Sequence, residues 1–201
     1  MDQYADCVNN KSWVLLIAGP DWIGKWYISD KIYQTFWIAS IPMVTTRPRR
    51  DCDSKKSLSL LDFKDLEQTN KLLWVHRNDN WYMYAYEKDV ILKENRTIVI
   101  EINPVYQKYQ DFTQDLSLLW LNIIDFFWIV WDVAYITYNI KSRTPTISNS
   151  ELSTKILMWE KITQELKNLH NNQLVKIFPV SFVNRDNISS SILQEIYNCI
   201  S

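Results

Sequence analysis

The residues best placed to do chemistry are Gly19-Pro-Asp-Trp-Ile-Gly24-Lys25, which directly follow the apolar run Trp13-Val-Leu-Leu-Ile17. Only two glycines occur in 201 residues, and both fall in this stretch. Globular proteins average about 7% glycine, so the two that remain mark backbone that needs their freedom. The spacing G-x-x-x-x-G-K after a strand-like run is that of a phosphate-binding loop. In such a loop successive backbone N–H groups curl around phosphate oxygens, the next helix presents its positive end, and the lysine adds a full charge. The position after Lys25, a Mg²⁺-binding Ser or Thr in that pattern, is Trp26.

Two further groups of residues suit the same chemistry. Arg47-Pro-Arg-Arg50 follows Thr45-Thr46, and guanidinium forks match phosphate oxygens in the plane. Glu101 interrupts the β-branched run Thr97-Ile-Val-Ile-Glu-Ile102. A carboxylate on a buried strand needs a partner or a site to face. His76 and His170 are solitary and read as structural or exposed.

The elements that must position these groups alternate between strand and helix. Strands are expected at 13–18, 38–45, 74–76 paired with 81–84, 97–102, 118–124 and 175–183. Helices are expected at 25–36, 63–73, 87–95, 150–169 (capped by Ser150) and 187–200. This order predicts an α/β fold, a three-layer sandwich with a mostly parallel central sheet, and the phosphate-binding loop makes the P-loop NTPase type the expected one. Ligands in such folds gather at the carboxyl ends of the strands. Residues 116–136 are apolar and long enough for a membrane span, but Asn122, Asp125 and Asp132 interrupt them. A buried strand running into a helix is the preferred reading there.

The bulk numbers bound the class. Length favours one domain over 1–201. A net charge of -1 gives no electrostatic argument for nucleic-acid binding. Cys7, Cys52 and Cys199 are odd in number and far apart, which fits no disulfide framework or zinc spacing and favours a reducing, cytoplasmic setting. The first residues show no signal-peptide pattern.

Five landmarks in order give the chain a resemblance to the guanylate kinases, P-loop nucleoside monophosphate kinases. They are the loop at 19–25, Thr45-Thr-Arg-Pro-Arg-Arg50, Asn80-Trp-Tyr-Met-Tyr84, Ile98-Val-Ile-Glu-Ile-Asn103 and Val183-Asn184-Arg-Asp. The resemblance implies a core at about 11–45 and 96–201, an acceptor-binding subdomain at about 46–95 and a lid at about 135–155. It implies transfer of the γ-phosphoryl of ATP, with Mg²⁺, to a nucleoside monophosphate, GMP by family pattern. The expected partners are nucleotides, with no nucleic acid and no membrane, and the expected state is a monomer. Gly19, Pro20, Asp21, Trp22, Ile23, Gly24, Lys25 and Trp26 would surround the ATP phosphates, with Asn184 near the base. Arg47, Arg50 (favoured by spacing over Arg49) and Tyr82 would grip the acceptor phosphate, Glu101 would lie near acceptor and metal, and Arg143 and Lys155 would act from the lid.

The departures point elsewhere. Trp26 cannot ligate Mg²⁺, so the ion would be held mainly through phosphates and water. Asp21 places a negative charge in the loop. The family's guanine-reading Glu falls at Leu73, and a phosphate-binding Tyr at Leu58. These losses suggest the alternative of a catalytically impaired nucleotide- or protein-binding module, and a third reading as a small-molecule phosphokinase. The ten tryptophans beside two glycines suggest that many stand at UGA codons that the source organism reads as glycine. Trp22, Trp26 and Trp81 are the test positions, and a truly tryptophan-rich core is the alternative.

Overall fold

The apolar run after residue 12 becomes the central strand β1 (Trp13–Ala18), fully buried from Val14 onward. A computed structural model describes residues 13–19, 25–49, 55–78, 80–94, 96–103, 109–119, 121–171, 176–180 and 185–200. Side chains alternate across a strand, so β1 feeds two cores at once. Val14, Leu16 and Ala18 join one apolar cluster, and Leu15 and Ile17 join the other. That is why the strand is apolar at every position: both faces of a parallel sheet are covered.

After β1 the chain runs through α1 (Lys25–Phe36), β2 (Ala39–Ser40), β3 (Val44–Thr45), β4 (Lys56–Ser57), α2 (Leu60–Gln68), β5 (Leu72–Arg77), β6 (Met83–Glu87) and α3 (Lys88–Lys93). It continues with β7 (Ile98–Ile102), α4 (Tyr109–Leu118), β8 (Asn122–Trp131), α5 (Val133–Arg143), α6 (Asn149–Asn171), β9 (Lys176–Val180) and α7 (Arg185–Ile200). Five strands form a parallel sheet in the order β2-β7-β1-β8-β9. One face packs on Phe112 and Leu116 of α4 and Ile162 and Leu166 of α6. The other packs on Ile28 and Ile32 of α1, Tyr135, Ile136 and Ile140 of α5 and Ile196 of α7. The layers are therefore helix, sheet, helix.

A second, mixed sheet, β4-β3-β6-β5, is built from residues 44–87. Phe63 of α2 packs on Val44, Leu72, Met83 and Ala85 to give it a core of its own. Tyr86 of β6 is fully buried and donates its hydroxyl to the carbonyl of Glu101, which ties this sheet to β7. Helix starts are capped as their sequences dictate. Ser59 accepts from Asp62 N–H at 3.1 Å, and Asp132 from Tyr135 N–H at 2.7 Å. Ser148 and Glu151 form a reciprocal capping box before α6.

Several expected elements differ in the structure. The single strand expected at 38–45 is two short strands in two different sheets, because Pro42 between them cannot donate to a ladder. The helix expected at 63–73 ends at Gln68, and Leu72 and Leu73 begin β5. Asn70, with φ 55°, makes the turn: its N–H and that of Lys71 bond back to Glu67 and Leu66. Helix α4 was not among the expected elements. Ser148, not Ser150, caps α6. Residues 116–136 divide into the end of α4, β8 and the start of α5. Among the described residues no helix is long and apolar enough to cross a membrane.

Candidate functional site

The site grows from the carboxyl end of β1. Gly19 follows the strand, and its N–H donates to Ile102 C=O at the end of β7 at 3.3 Å. Helix α1 opens at Lys25, whose ammonium reaches back to Gly19 C=O at 2.7 Å. The cation is therefore poised over the strand exit, beside the positive end of a twelve-residue helix. β7 and β8 flank β1 on opposite sides, so this exit is the crevice where ligands collect in open parallel sheets. Trp26 is 59% exposed and meets Tyr27 edge-on. Its indole offers no atom that ligates Mg²⁺.

Next to that exit lies a cavity of about 280 Å³, lined by Ser40, Ile41, Pro42 and Met43 on one wall and by Lys55, Tyr86 and Glu101 on the others. Glu101 is half-buried, and Ser29 of α1 donates its hydroxyl to the Glu101 carboxylate at 2.7 Å. Ser29 is 3% exposed and lies one helical turn from Lys25, so a single face of α1 serves both the strand exit and the cavity. Burial, and then the neighbouring Glu101 carboxylate, push the Tyr86 phenol well above its usual range; the bond to the Glu101 carbonyl pulls the other way and is outweighed. Tyr86 is thus a neutral donor at physiological pH.

Arg47 is buried at 8% exposure just past β3, and the threonines before it hold its backbone. Arg47 N–H donates to Thr45 Oγ1 at 3.1 Å, while Thr46 Oγ1 accepts from Met83 N–H at 2.9 Å. Ser57 Oγ donates to Arg47 C=O at 2.9 Å. The Thr-Thr-Arg sequence is thus a clamp that fixes the arginine against the second sheet.

The structure brings together Gly19, Lys25 and, through Ser29, Glu101. Tyr82 is partly exposed just before β6, its N–H bonded to Asn78 Oδ1 at 3.0 Å. Arg143 is exposed in the last turn of α5, and Lys155 lies partly exposed on α6; neither lines the cavity. Pro20, Asp21, Trp22, Ile23, Gly24, Arg50 and Asn184 lie outside the described residues. Leu73 is 7% exposed within the main apolar cluster, and Leu58 packs on the core of the second sheet. Sequence reasoning missed Ser29, Lys55 and Tyr86. Only Ser29 left a signal, its i+4 spacing from Lys25.

No family model matches the sequence, and no curated protein matches it. Among solved structures, a guanylate kinase from Anaplasma phagocytophilum aligns over 95% of this chain and 87% of its own, with a TM-score of 0.58 and 12% identity. An uncharacterized protein from Eubacterium ventriosum ATCC 27560 aligns over 94% of this chain and 99% of its own, with 15% identity and a TM-score of 0.46. The first likeness is one of fold: this chain has a guanylate-kinase-like α/β architecture around a parallel sheet.

Proposed function

We propose that this chain moves the γ-phosphoryl group of ATP to a nucleoside monophosphate, with GMP the acceptor that family resemblance implies. One observation carries the reading: Lys25, at the head of α1, bends back over the end of the central strand, 2.7 Å from the carbonyl of Gly19. Phosphoryl transfer asks little covalent chemistry of a protein and depends on positioning and charge neutralisation. Lys25 and the loop at 19–25 would hold the donor phosphates, and Mg²⁺ would add charge neutralisation through phosphate and water. Arg47 and Arg50, with Tyr82, would grip the acceptor phosphate. Glu101, oriented by Ser29, would face the acceptor from the cavity wall, and Arg143 and Lys155 would close from the lid. Acting as a cytoplasmic monomer belongs to the same proposal. The test is a coupled ADP-release assay across GMP, AMP, UMP and CMP. Release with one monophosphate supports the reading; ATP binding without transfer to any of them refutes it.

A second reading has its own observation. Leu73 and Leu58, where the family pattern places base- and phosphate-binding side chains, are packed into apolar clusters. A site lacking such polar partners gives up much of its discrimination. A non-catalytic nucleotide-binding module would bind ATP in the same assay and release no ADP.

A further inference from the structure

Four non-glycine residues have positive φ among the described residues: Asn70 and three tryptophans, Trp37 (59°), Trp74 (53°) and Trp81 (65°). About a few per cent of non-glycine residues do this, asparagine is among the types that tolerate it, and a bulky side chain there is an outlier. Eight tryptophans lie among the described residues. At that base rate well under one should be left-handed, and three are.

Each occupies a backbone slot that glycine fills by default. Trp37 follows the last residue of α1 and bonds its N–H to Tyr33 C=O at 2.9 Å, the place where a left-handed residue ends a helix. Asn70 does the same work after α2 with a side chain suited to it. Trp81 closes the β5–β6 hairpin. Its N–H bonds to Asn78 C=O at 2.9 Å, and Asn78 N–H bonds to Tyr82 C=O at 3.0 Å. That is the three-residue loop whose last residue is left-handed and forms a bulge. Trp74 sits where the β5–β6 register shifts between Leu73 and His76, and the left-handed form of such a bulge carries glycine. Trp37 and Trp81 are 71% and 75% exposed, touching only Tyr33 and Arg77 among the ring contacts of the described residues, so burial returns little for the strained backbone. Trp74 does pack, stacked on Phe112 at 4.1 Å, but its backbone is the same.

We infer that positions 37, 74 and 81 of the natural polypeptide are glycine, placed there by a codon that the source organism reads as glycine and that is rendered here as tryptophan. One decoding difference accounts for three outlying backbones and for a chain with two glycines and ten tryptophans. Backbone geometry now singles out the positions, where composition alone could not.

The test is peptide mass spectrometry on the protein purified from its source. Trypsin releases position 37 within 32–49, position 74 within Leu72–Arg77 and position 81 within 78–88. Each peptide should be lighter by the difference between a tryptophan and a glycine residue; a tryptophan mass at any of the three overturns the inference. A second measurement checks the backbone argument on the chain carrying tryptophan. Trp37→Gly and Trp81→Gly should denature at higher urea than Trp37→Ala and Trp81→Ala, because only glycine relieves a left-handed position. Equal or reversed midpoints would remove the inference's support.

Discussion

Removing the Ser29 hydroxyl tests how the site is held together. Ser29→Ala deletes the 2.7 Å bond from α1 to the Glu101 carboxylate and leaves the packing of Ile28 and Ile32 intact. A hydrogen bond to a charged group contributes about 1.5–3 kcal/mol net. The Ser29 end is 3% exposed, but Glu101 is half-buried and water can partly replace the lost donor. The lower part of the range applies, and with that discount the expected loss is about 1–1.5 kcal/mol, a factor of up to about ten in the unfolded fraction. Urea denaturation of Ser29→Ala, Glu101→Ala and the double variant forms a cycle that isolates the pair. The coupling should equal most of the single-variant loss. Independent sites add to within about 0.3–0.5 kcal/mol. A coupling inside that margin would mean that the hydroxyl and the carboxylate do not act together, and that Glu101 is not oriented from α1.

Arg47→Lys keeps the charge and loses the planar fork, so it should raise the KM for the acceptor monophosphate and leave the KM for ATP nearly unchanged. Loss of one charge-assisted bond, about 1.5–3 kcal/mol, corresponds to a rise of roughly tenfold or more; steady-state kinetics with each substrate varied would show it. Tyr86→Phe should change the alkaline limb of stability. A phenol whose folded pKa lies well above its unfolded value keeps its proton in the native state after the unfolded chain has lost it. The protein therefore loses stability as pH rises above about 10, and denaturation midpoints followed from pH 8 upward should fall less steeply in Tyr86→Phe.

Much of the main sheet was legible because its signals are local. An unbroken apolar run marks β1 as buried on both faces, and the β-branched stretch around Val99 and Ile100 marks β7 in the same way. Helix α1 starts at the lysine that closes the loop motif, as its spacing demands. What was lost depends on partners far away in the chain. Leu72 and Leu73 continue a helical spacing and become strand because β6 offers a ladder, while Asn70 turns the chain. Pro42 was the available sign that residues 38–45 change sheets. Glu101 could be singled out as a carboxylate needing a partner, but Ser29 and the Tyr86 hydroxyl reach it only through the packing of α1 and β6 on β7. The tryptophan excess was visible in composition and Trp81 in the family pattern, but only the backbone picks out Trp37 and Trp74 beside it.

Calorimetric titration of ATP, with Mg²⁺ present, into the unaltered chain and into Lys25→Met addresses the proposed polyphosphate site at the end of β1 directly. The unaltered chain should bind with one-to-one stoichiometry. Lys25→Met should bind at least about tenfold more weakly, since on the proposed reading the ammonium would make a charge-assisted contact to phosphate worth about 1.5–3 kcal/mol. Equal affinity in the two proteins would contradict a nucleotide-phosphate site at Lys25.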